Sequence, residues 1–273
     1  MKLSVIISTY NQPAWLQKVL HGYLYQSFNQ FELLIADDGS DSATADIITE
    51  FQKVARFPIR RIWHPDQGYR RQTILNIALQ QAAHDYIIMT DGDCIPRADF
   101  LSVHARLATP GHFLSGGYCK LPLDLSEYLT LDDISSGQCF DAGYLRDHGL
   151  KELSPTFKIH LPPEFAPLVD KASPTKPTWN NCNSSGWTRD LIAVNGFNED
   201  MQYGGADREL GERLANSGIT GLQVRYQAVV LHLDHKRGYK TPETMKKNRA
   251  IRDQVVANGI TWCANGIQKT AQP

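Results

Sequence analysis

The sequence has no long apolar run and no excess of charge of one sign. No apolar stretch approaches the roughly 20 residues that a membrane-spanning helix needs. The 273 residues carry 28 Lys and Arg against 29 Asp and Glu, so the net charge is −1. This balance gives no global electrostatic basis for nucleic-acid binding. We therefore expect no nucleic-acid partner and, at most, a peripheral contact with a membrane.

Cysteine is scarce and scattered. The chain has five cysteines and no CxxC pair, which argues against a disulfide framework or a structural zinc site. Free thiols of this kind suit a reducing compartment. About seven residues precede Ser8-Thr9-Tyr10-Asn11, too few for the apolar core of a signal peptide. These features predict a cytoplasmic protein, with the inner face of the membrane as its only possible membrane contact.

The first hundred residues alternate between short apolar runs and helical periodicity. Helices are predicted from Pro13, after Ser40 or Asp41, and over residues 69–83. Strands are predicted at 3–8, 31–36, 59–63 and 86–89. The β-α-β-α-β-α-β order indicates an α/β fold with a mostly parallel sheet flanked by helices.

This alternation stops near Gly116. Residues 121–178 are rich in Pro and predict an irregular insertion on the acceptor side. Helices near 189–194 and from Gly204 to about 217, and a strand at 224–231, follow it. We expect a single domain over 1–240, with halves 1–115 and 116–240, and a helical, polar tail over 241–273. The basic cluster between Lys246 and Arg252 could be a solvated helix face or could touch an anionic membrane.

Two carboxylates follow the fourth predicted strand, in Asp91-Gly92-Asp93. Ligands of open α/β sheets bind at the carboxyl ends of strands. Two carboxylates there suit a hard divalent cation, which can hold a diphosphate. An Asp-Gly turn that only caps the strand is the simpler alternative. The metal hypothesis predicts an enzyme that acts on a nucleotide diphosphate.

Other side chains could belong to the same site. Asp37 and Asp38 follow the second strand and could accept hydrogen bonds from a base or ribose, or simply cap the next helix. Asp207 follows Gly204-Gly205-Ala206 at a predicted helix start, where the helix dipole favours the ionised form that a general base requires. A glycine turn with an acidic first-turn residue is also common without function.

Histidine, arginine and tryptophan supply further candidates. His232 and His235 follow the last strand, and His232 could complete with Asp93 a mixed oxygen and nitrogen ligand set that suits Mn²⁺. Arg70 and Arg71 begin the third helix and could meet phosphate or solvent. Trp179, in an Asn-rich stretch, could pack on a sugar ring or anchor the core.

Taken together, and in their order along the chain, the motifs of this sequence resemble those of family 2 glycosyltransferases of the GT-A fold over residues 3–235. The resemblance rests on 4–11 (SVIISTYN), 37–40 (DDGS), 91–96 (DGDCIP), 196–199 (GFNE) and 204–210 (GGADREL), with Arg213 following. The C-terminal half also resembles β-1,4-galactosyltransferases and chondroitin polymerases, in which a Gly-Gly-Glu-Asp motif holds the base.

The resemblance implies a role for each matching position. Asp207 would be the catalytic base, and Asp93, His232 and Asp91 would bind the metal, Mn²⁺ or Mg²⁺, with Asp91 placed near ribose or metal. Trp179, Asn183 and Gly205 would border the sugar and the acceptor. A UDP-sugar would lie against Ser8, Thr9, Tyr10, Asp38, Arg71 and Asp91. The implied activity is inverting transfer of a hexose or N-acetylhexosamine to a saccharide or glycolipid, in surface polysaccharide or lipopolysaccharide synthesis.

One motif departs from the family pattern, because Ala206 stands where the usual Glu precedes the base. This leaves the sugar specificity open, and it keeps a non-catalytic carbohydrate-binding protein as an alternative. A nucleotidyltransferase is a second alternative. Such an enzyme should have a Gly-rich, basic phosphate loop after the first strand, and residues 8–13 (STYNQP) do not provide one.

Overall fold

The computed structural model describes residues 1–151, 153–235 and 241–269, apart from the side chains of 153–156. Over these residues the chain forms one eight-stranded sheet with the strand order β3-β2-β1-β4-β7-β6-β8-β5. Four of the neighbouring pairs are parallel and three are antiparallel. The predicted α/β class, with a mixed and mostly parallel sheet flanked by helices, is confirmed.

The N-terminal half follows the predicted order of elements. Its strands are β1 (Leu3–Thr9), β2 (Phe31–Asp37), β3 (Ile59–Trp63) and β4 (Tyr86–Asp91), and its helices are α1 (Pro13–Leu24), α2 (Ser42–Val54) and α3 (Arg71–Gln81). β1 lies between β2 and β4, and all three run parallel. The register pairs Thr9 with Asp37 and Ser8 with Asp91, so the three strands end together at one edge. This edge carries the predicted polar residues.

Four further strands of mixed direction extend the sheet beyond β4. These are β5 (Cys94–Pro96), β6 (His112–Lys120), β7 (Ser184–Trp187) and β8 (Thr220–His232), and α4 (Phe100–Leu107) connects β5 to β6. The sequence predicted only the last of them, over the shorter range 224–231. β6 and β7 escaped prediction because they are short of branched apolar residues, and their extended conformation depends on pairing with β4 and β8.

The expectation of a loop-dominated insertion over 121–178 is wrong, because this segment folds mainly into short helices. They are α5 (Leu123–Tyr128), α6 (Leu131–Ser135), a 3₁₀ turn (Gln138–Phe140), α7 (Ala142–Asp147), α8 (Leu153–His160) and α9 (Ala166–Ala172). Two of its prolines stand at helix starts, Pro122 before α5 and Pro167 in the first turn of α9. α8 and α9 pack on β6 and β8.

Three further helices complete the fold: α10 (Thr188–Ala193), α11 (Ala206–Asn216) and α12 (Pro242–Ala257). Alternate residues of the central strands face opposite sides of the sheet, so Val5 and Ile7 join one apolar core and Ile6 joins the other. α12 packs on α11, so the predicted helical tail lies against the domain. None of the helices within the described residues has the length and apolarity needed to span a bilayer.

Candidate active site

A cleft of about 1750 Å³ lies between the carboxyl ends of the parallel strands and the C-terminal half of the chain. Ten of the twelve predicted site residues line it. They are Ser8, Thr9, Tyr10, Asp38, Arg71, Asp91, Asp93, Gly205, Asp207 and His232. Trp179 and Asn183 do not. The fold therefore brings together residues that lie more than 200 positions apart in the sequence.

Ser8, Arg71 and Asp91 form one hydrogen-bonded group at the ends of β1 and β4. The Ser8 hydroxyl donates to Asp91 Oδ1 at 2.8 Å and accepts from Arg71 Nε at 3.0 Å. Arg71 also pairs directly with Asp91 through Nη2. Burial opposes the charged guanidinium, but Asp91, Tyr69 and Asp207 together outweigh it and raise the pKa of Arg71. Asp91 is thus held by a protein cation, and its carboxylate is less available to a metal than that of Asp93.

Gly92 fixes the distance between this turn and β1. Its N–H donates to the Ser8 carbonyl at 2.8 Å, and a Cβ at this position would lie 3.1 Å from both that carbonyl and Thr9 Oγ1. A side chain here would push the two backbones apart by a few tenths of an ångström, so glycine suits this close approach. Thr9 Oγ1 is buried and has no hydrogen-bond partner among the described residues. A buried hydroxyl of this kind requires a partner from outside the chain.

Asp38 follows β2 directly and lines the cleft, with both of its side-chain oxygens occupied. His64 Nε2 lies 2.8 Å from Oδ1, and the Arg70 N–H donates to Oδ2 at 3.0 Å. Burial raises the pKa of Asp38 despite these two partners. Tyr10 donates its phenol to Asp66 at 3.0 Å and is 46% exposed, so its ring remains open to a ligand. Asp37, by contrast, is fully buried and holds Arg61 and the Ser40 N–H, a structural role.

Asp93 lies beside two histidines, where β5 pairs with the end of β8. Its Oδ2 is 3.0 Å from His235 Nε2 and 3.8 Å from His232 Nε2. Burial alone would raise the pKa of Asp93, but the hydrogen bond from His235 and the charges of both histidines lower it. A carboxylate kept ionised next to imidazole nitrogens is a donor set that suits Mn²⁺. The residues present therefore fit the metal predicted from the sequence.

Two thiols belong to the same neighbourhood, which the sequence gave no reason to expect. Cys94 Sγ donates to Asp93 Oδ1 at 3.3 Å, and its thiol also interacts with that of Cys182. The potential ligand atoms of Asp93, Cys94 and His232 all lie within 4.8 Å of one another. Burial raises the pKa of the Cys94 thiol well above its ordinary value. It therefore stays protonated and is a weak ligand for a hard ion.

Asp207 stands in the first turn of α11 and faces the cleft. The preceding Gly204 and Gly205 have φ values of +108° and +86°, which other residues rarely adopt. Burial raises the pKa of Asp207, and the nearby Asp91 charge adds to this shift. The Arg208 N–H and the Arg71 charge act against it. A carboxylate with a raised pKa is better matched to accepting a proton near neutral pH.

The loop before Asp207 is held from α12. The buried side chain of Asn248 donates to the carbonyls of Gln202 at 3.0 Å, Tyr203 at 3.1 Å and Gly204 at 2.9 Å. Met245 and Arg252 pack against the two glycines. The tail that the sequence suggested as a solvated or membrane-facing helix therefore supports the loop. Lys246, Arg249 and Arg252 line the cleft.

The structure corrects the expectation for Trp179 and Asn183. Trp179 is fully buried, packs on Phe113 and donates its Nε1–H to Asn181, so its ring cannot reach a sugar. Asn183 is fully buried and holds His104 and two backbone carbonyls. Their neighbours Asn180, Asn181 and Cys182 line the cleft instead. A sequence pattern cannot tell which residues of such a stretch point inwards.

Comparison with known proteins agrees with this geometry. The family model described as "Glycosyl transferase family 2" matches residues 4–114, which include β1 to β4 and the Asp91-Gly92-Asp93 turn. The match covers 111 of the 273 residues, so the chain resembles glycosyltransferase family 2 over its N-terminal part. It is 25% identical to a validoxylamine A glucosyltransferase of Streptomyces hygroscopicus subsp. jinggangensis over 256 residues, 87% of this chain and 57% of that protein. It is 26% identical to the chondroitin synthase of Escherichia coli over 134 residues, 49% of this chain and 19% of that protein.

Solved structures share the fold. The mannosyltransferase PcManGT from Pyrobaculum calidifontis, in complex with GDP-Man and Mn²⁺, has a TM-score of 0.60 and 17% identity over 93% of this chain and 69% of its own. TarS 1–349 of S. aureus with UDP-GlcNAc also has a TM-score of 0.60 and 17% identity, over 95% of this chain and 71% of its own. At this identity the likeness establishes the GT-A fold alone.

This chain spans only part of the length of the sequence relatives that it matches. It spans 57% of the glucosyltransferase and 19% of the chondroitin synthase. The relatives also differ from one another in what their names say they make. The fold is therefore established, and the reaction has to be argued from the cleft itself.

Proposed function

We propose that this chain is an inverting, metal-dependent glycosyltransferase that moves a hexose or N-acetylhexosamine from a UDP-sugar to a hydroxyl of a saccharide or glycolipid acceptor. Synthesis of a surface polysaccharide or lipopolysaccharide is the corresponding process. The complexes of the structural neighbours with GDP-Man and UDP-GlcNAc support a nucleotide-sugar donor.

The donor's nucleotide fits the edge formed by β1, β2 and β4. Asp38 and the Ser8–Arg71–Asp91 group supply acceptors and donors of hydrogen bonds for base and ribose. Thr9 Oγ1 is a buried hydroxyl without a hydrogen-bond partner among the described residues, so it can bond to the nucleotide. The Arg71 guanidinium adds positive charge next to the expected diphosphate. These residues orient the donor and exclude water from its nucleotide.

Asp93 and His232, with His235 beside them, would hold the divalent ion. When bound, such an ion neutralises the charge that develops on the leaving diphosphate. Asp93 stays ionised because His235 donates to it, and the Leu233 N–H donates to its backbone carbonyl at 2.8 Å. These two contacts hold the chain just after β8 next to the turn that contains Asp93.

Asp207 acts as the general base. It accepts the proton of the acceptor hydroxyl while that oxygen bonds to the anomeric carbon, and the bond from the anomeric carbon to the diphosphate oxygen breaks. The nucleotide diphosphate leaves with the electron pair of that bond. A single displacement of this kind inverts the anomeric configuration.

The observation that carries the proposal is that Asp207 shares one cleft with the Asp93–His232 pair and the nucleotide edge. The test is the variant Asp207→Asn, which keeps the shape of the side chain and removes its basicity. Transfer should fall by 10²–10⁴-fold, while the affinity for UDP with Mn²⁺ should change little. Product release is followed as UDP, and the anomeric configuration by proton NMR.

Asp253→Asn is a matched control, because Asp253 also lines the cleft but lies on α12 and is 74% exposed at its side chain. It should retain transfer. Transfer that survives in Asp207→Asn would refute the assignment of the base. Activity should also disappear in EDTA and return with Mn²⁺, and full activity in EDTA would remove the metal from the reaction.

A further inference from the structure

The cleft is larger than a nucleotide-sugar requires. Pockets for ligands of drug size measure roughly 300–1,000 Å³, whereas this one measures about 1750 Å³. The nucleotide edge accounts for the part next to β1, β2 and β4. The part bounded by α8, β8, α11 and α12 is left for the acceptor, and its side chains define what the acceptor must carry.

Charge is divided unevenly along the cleft. The N-terminal half contributes Asp38, Asp91 and Asp93, and its one cation, Arg71, is paired with Asp91. Among the described cleft residues after position 115, only Asp207 and Asp253 are acidic, against eight Lys and Arg. The eight are Lys120, Lys158, Lys176, Arg208, Arg225, Lys246, Arg249 and Arg252. In a chain with a net charge of −1, this is a local concentration of positive charge.

Five of these eight cations have no carboxylate partner among the described residues. Lys120, Arg249 and Arg252 have carboxylate partners in Asp234, Asp253 and Glu212. The other five have no carboxylate within 4.0 Å in the described part of the chain, and they are Lys158, Lys176, Arg208, Arg225 and Lys246. Lys158 and Arg225 are partly buried, while Lys176, Arg208 and Lys246 are exposed. A partly buried cation without a counter-ion destabilises a protein unless a ligand supplies the anion, so Lys158 and Arg225 favour a bound anion.

Three of the five surround one exposed aromatic ring. Lys158 Nζ lies 5.3 Å from the Tyr118 ring centroid and donates to the Tyr118 carbonyl at 2.8 Å. The charges of Arg208 and Arg225 act on the Tyr118 phenol. Burial and the neighbouring Arg225 charge both lower the pKa of Lys158, so the two cations repel each other across this ring. Tyr118 is 43% exposed and offers its face to a sugar.

This group adjoins the reaction centre. The Tyr118 ring centroid is 5.7 Å from that of His232, and Arg208 follows Asp207 directly in α11. Five cations on four different elements and a loop exceed what one diphosphate needs when Arg71 and a divalent ion already serve it. An anionic group next to the attacking hydroxyl would meet them.

We propose that the acceptor is an anionic saccharide, with a carboxylate or a phosphate near the hydroxyl that is glycosylated, and that Lys158, Arg208 and Arg225 bind this anion. This inference rests on the proposed function, since it assigns the acceptor side of the same cleft. Lys176 and Lys246 extend the positive surface outward from the site, where further negative charges of the acceptor would lie.

The test uses three ligands with one sugar ring: methyl glucoside, the corresponding methyl glucuronide and the 6-phosphate of the glucoside. Binding of each to the full chain is measured by ligand-observed NMR in the presence of UDP and Mn²⁺. At least one anionic ligand should bind about tenfold or more tightly than the neutral one, a difference of about 1.4 kcal/mol. The preference should shrink as salt is raised. The anionic ligand that binds more tightly shows whether the acceptor carries a carboxylate or a phosphate.

The variants Lys158→Gln and Arg225→Gln should each lose most of this preference and keep their affinity for UDP with Mn²⁺. Lys247→Gln is the control, since Lys247 is exposed on α12 but does not line the cleft, whereas its neighbour Lys246 does. Equal binding of all three ligands would overturn the proposal, as would loss of UDP affinity in the variants with anion binding unchanged. Failure of the wild-type chain to bind UDP with Mn²⁺ would instead count against the proposed function.

Discussion

His235 lies closer to Asp93 than His232 does: its Nε2 is 3.0 Å from Asp93 Oδ2, and that of His232 is 3.8 Å away. The resemblance to galactosyltransferases assigned the nitrogen ligand to His232. By its distance from Asp93, His235 could equally be the nitrogen ligand, or it could be the group that orients Asp93. Both histidines are only 13–16% exposed at their side chains, so each is shielded from bulk water.

We predict that His235→Ala weakens Mn²⁺ binding by about 10–100-fold, the usual cost of losing a ligand or its orienting partner. The measurement is a titration of free Mn²⁺ followed by EPR, with no sugar donor present. His112→Ala, at the start of β6, provides the control. An unchanged Mn²⁺ affinity in His235→Ala would show that His235 only hydrogen-bonds to Asp93 in the metal-free protein.

The raised pKa of Asp207 predicts a pH dependence. Below this pKa the carboxylate is protonated and cannot accept a proton, so kcat/KM should fall tenfold per pH unit on the acid side. The fall should begin above the ordinary Asp value of about 3.9, because burial raises the pKa of Asp207. The measurement is kcat/KM at saturating Mn²⁺ as the pH is lowered from about neutrality.

Asp91→Asn should move this acid limb to lower pH. The change removes a negative charge that raises the pKa of Asp207, and it leaves the Arg71 charge, which lowers that pKa, without its partner. The direction of the shift therefore follows from both effects. A limb that stays in place would mean that another group, and not Asp207, is the base titrated in kcat/KM.

The sequence was sufficient for the parallel half of the fold because its strands are buried on both faces. β1, β2 and β4 are continuous apolar runs between amphipathic helices, and the polar residues that end them were predicted to share an edge. β7 consists of Ser184, Ser185, Gly186 and Trp187, and nothing in this composition favours a strand. Its pairing with β4 and β6 is a long-range effect that local patterns do not contain.

The same distinction holds in the site. Asp93, Asp207 and Arg71 line the same cleft, and the sequence could nominate them because each follows or begins a recognisable element. Other features of the site depend on how the segment before β7 packs. They are the burial of Trp179, the contact of Asn183 with His104 and the proximity of Cys182 to Cys94. A residue pattern gives the chemistry that a segment can offer, but the direction of each side chain is decided by tertiary packing.

Asn248 supports the loop that presents Asp207, although the two are 41 residues apart. Replacing Asn248 by Ala leaves three carbonyls before Asp207 without their donor. We expect a loss of about 1–3 kcal/mol in the free energy of unfolding and a lower kcat, because the base is less well positioned. Urea denaturation and steady-state kinetics measure the two effects. Asn258→Ala, beyond the end of α12, is the control, and an unchanged kcat in Asn248→Ala would confine the role of Asn248 to stability.

Glu209 and Arg213 form an ion pair one turn apart on α11, and both side chains are completely buried. Arg213 also donates to the carbonyls of Val194 and Gly196, so it joins α11 to the Gly196-Phe197-Asn198-Glu199 motif. Glu209→Gln should lower the free energy of unfolding by about 3–5 kcal/mol, since it leaves a buried guanidinium without its counter-ion. Arg249 and Asp253 have the same i, i+4 spacing on α12, with side chains 83% and 74% exposed. Asp253→Asn should cost at most about 0.5 kcal/mol. Urea denaturation of the two variants compares a buried Glu–Arg pair with an exposed Asp–Arg pair. Equal losses in the free energy of unfolding would show that water reaches the Glu209–Arg213 pair.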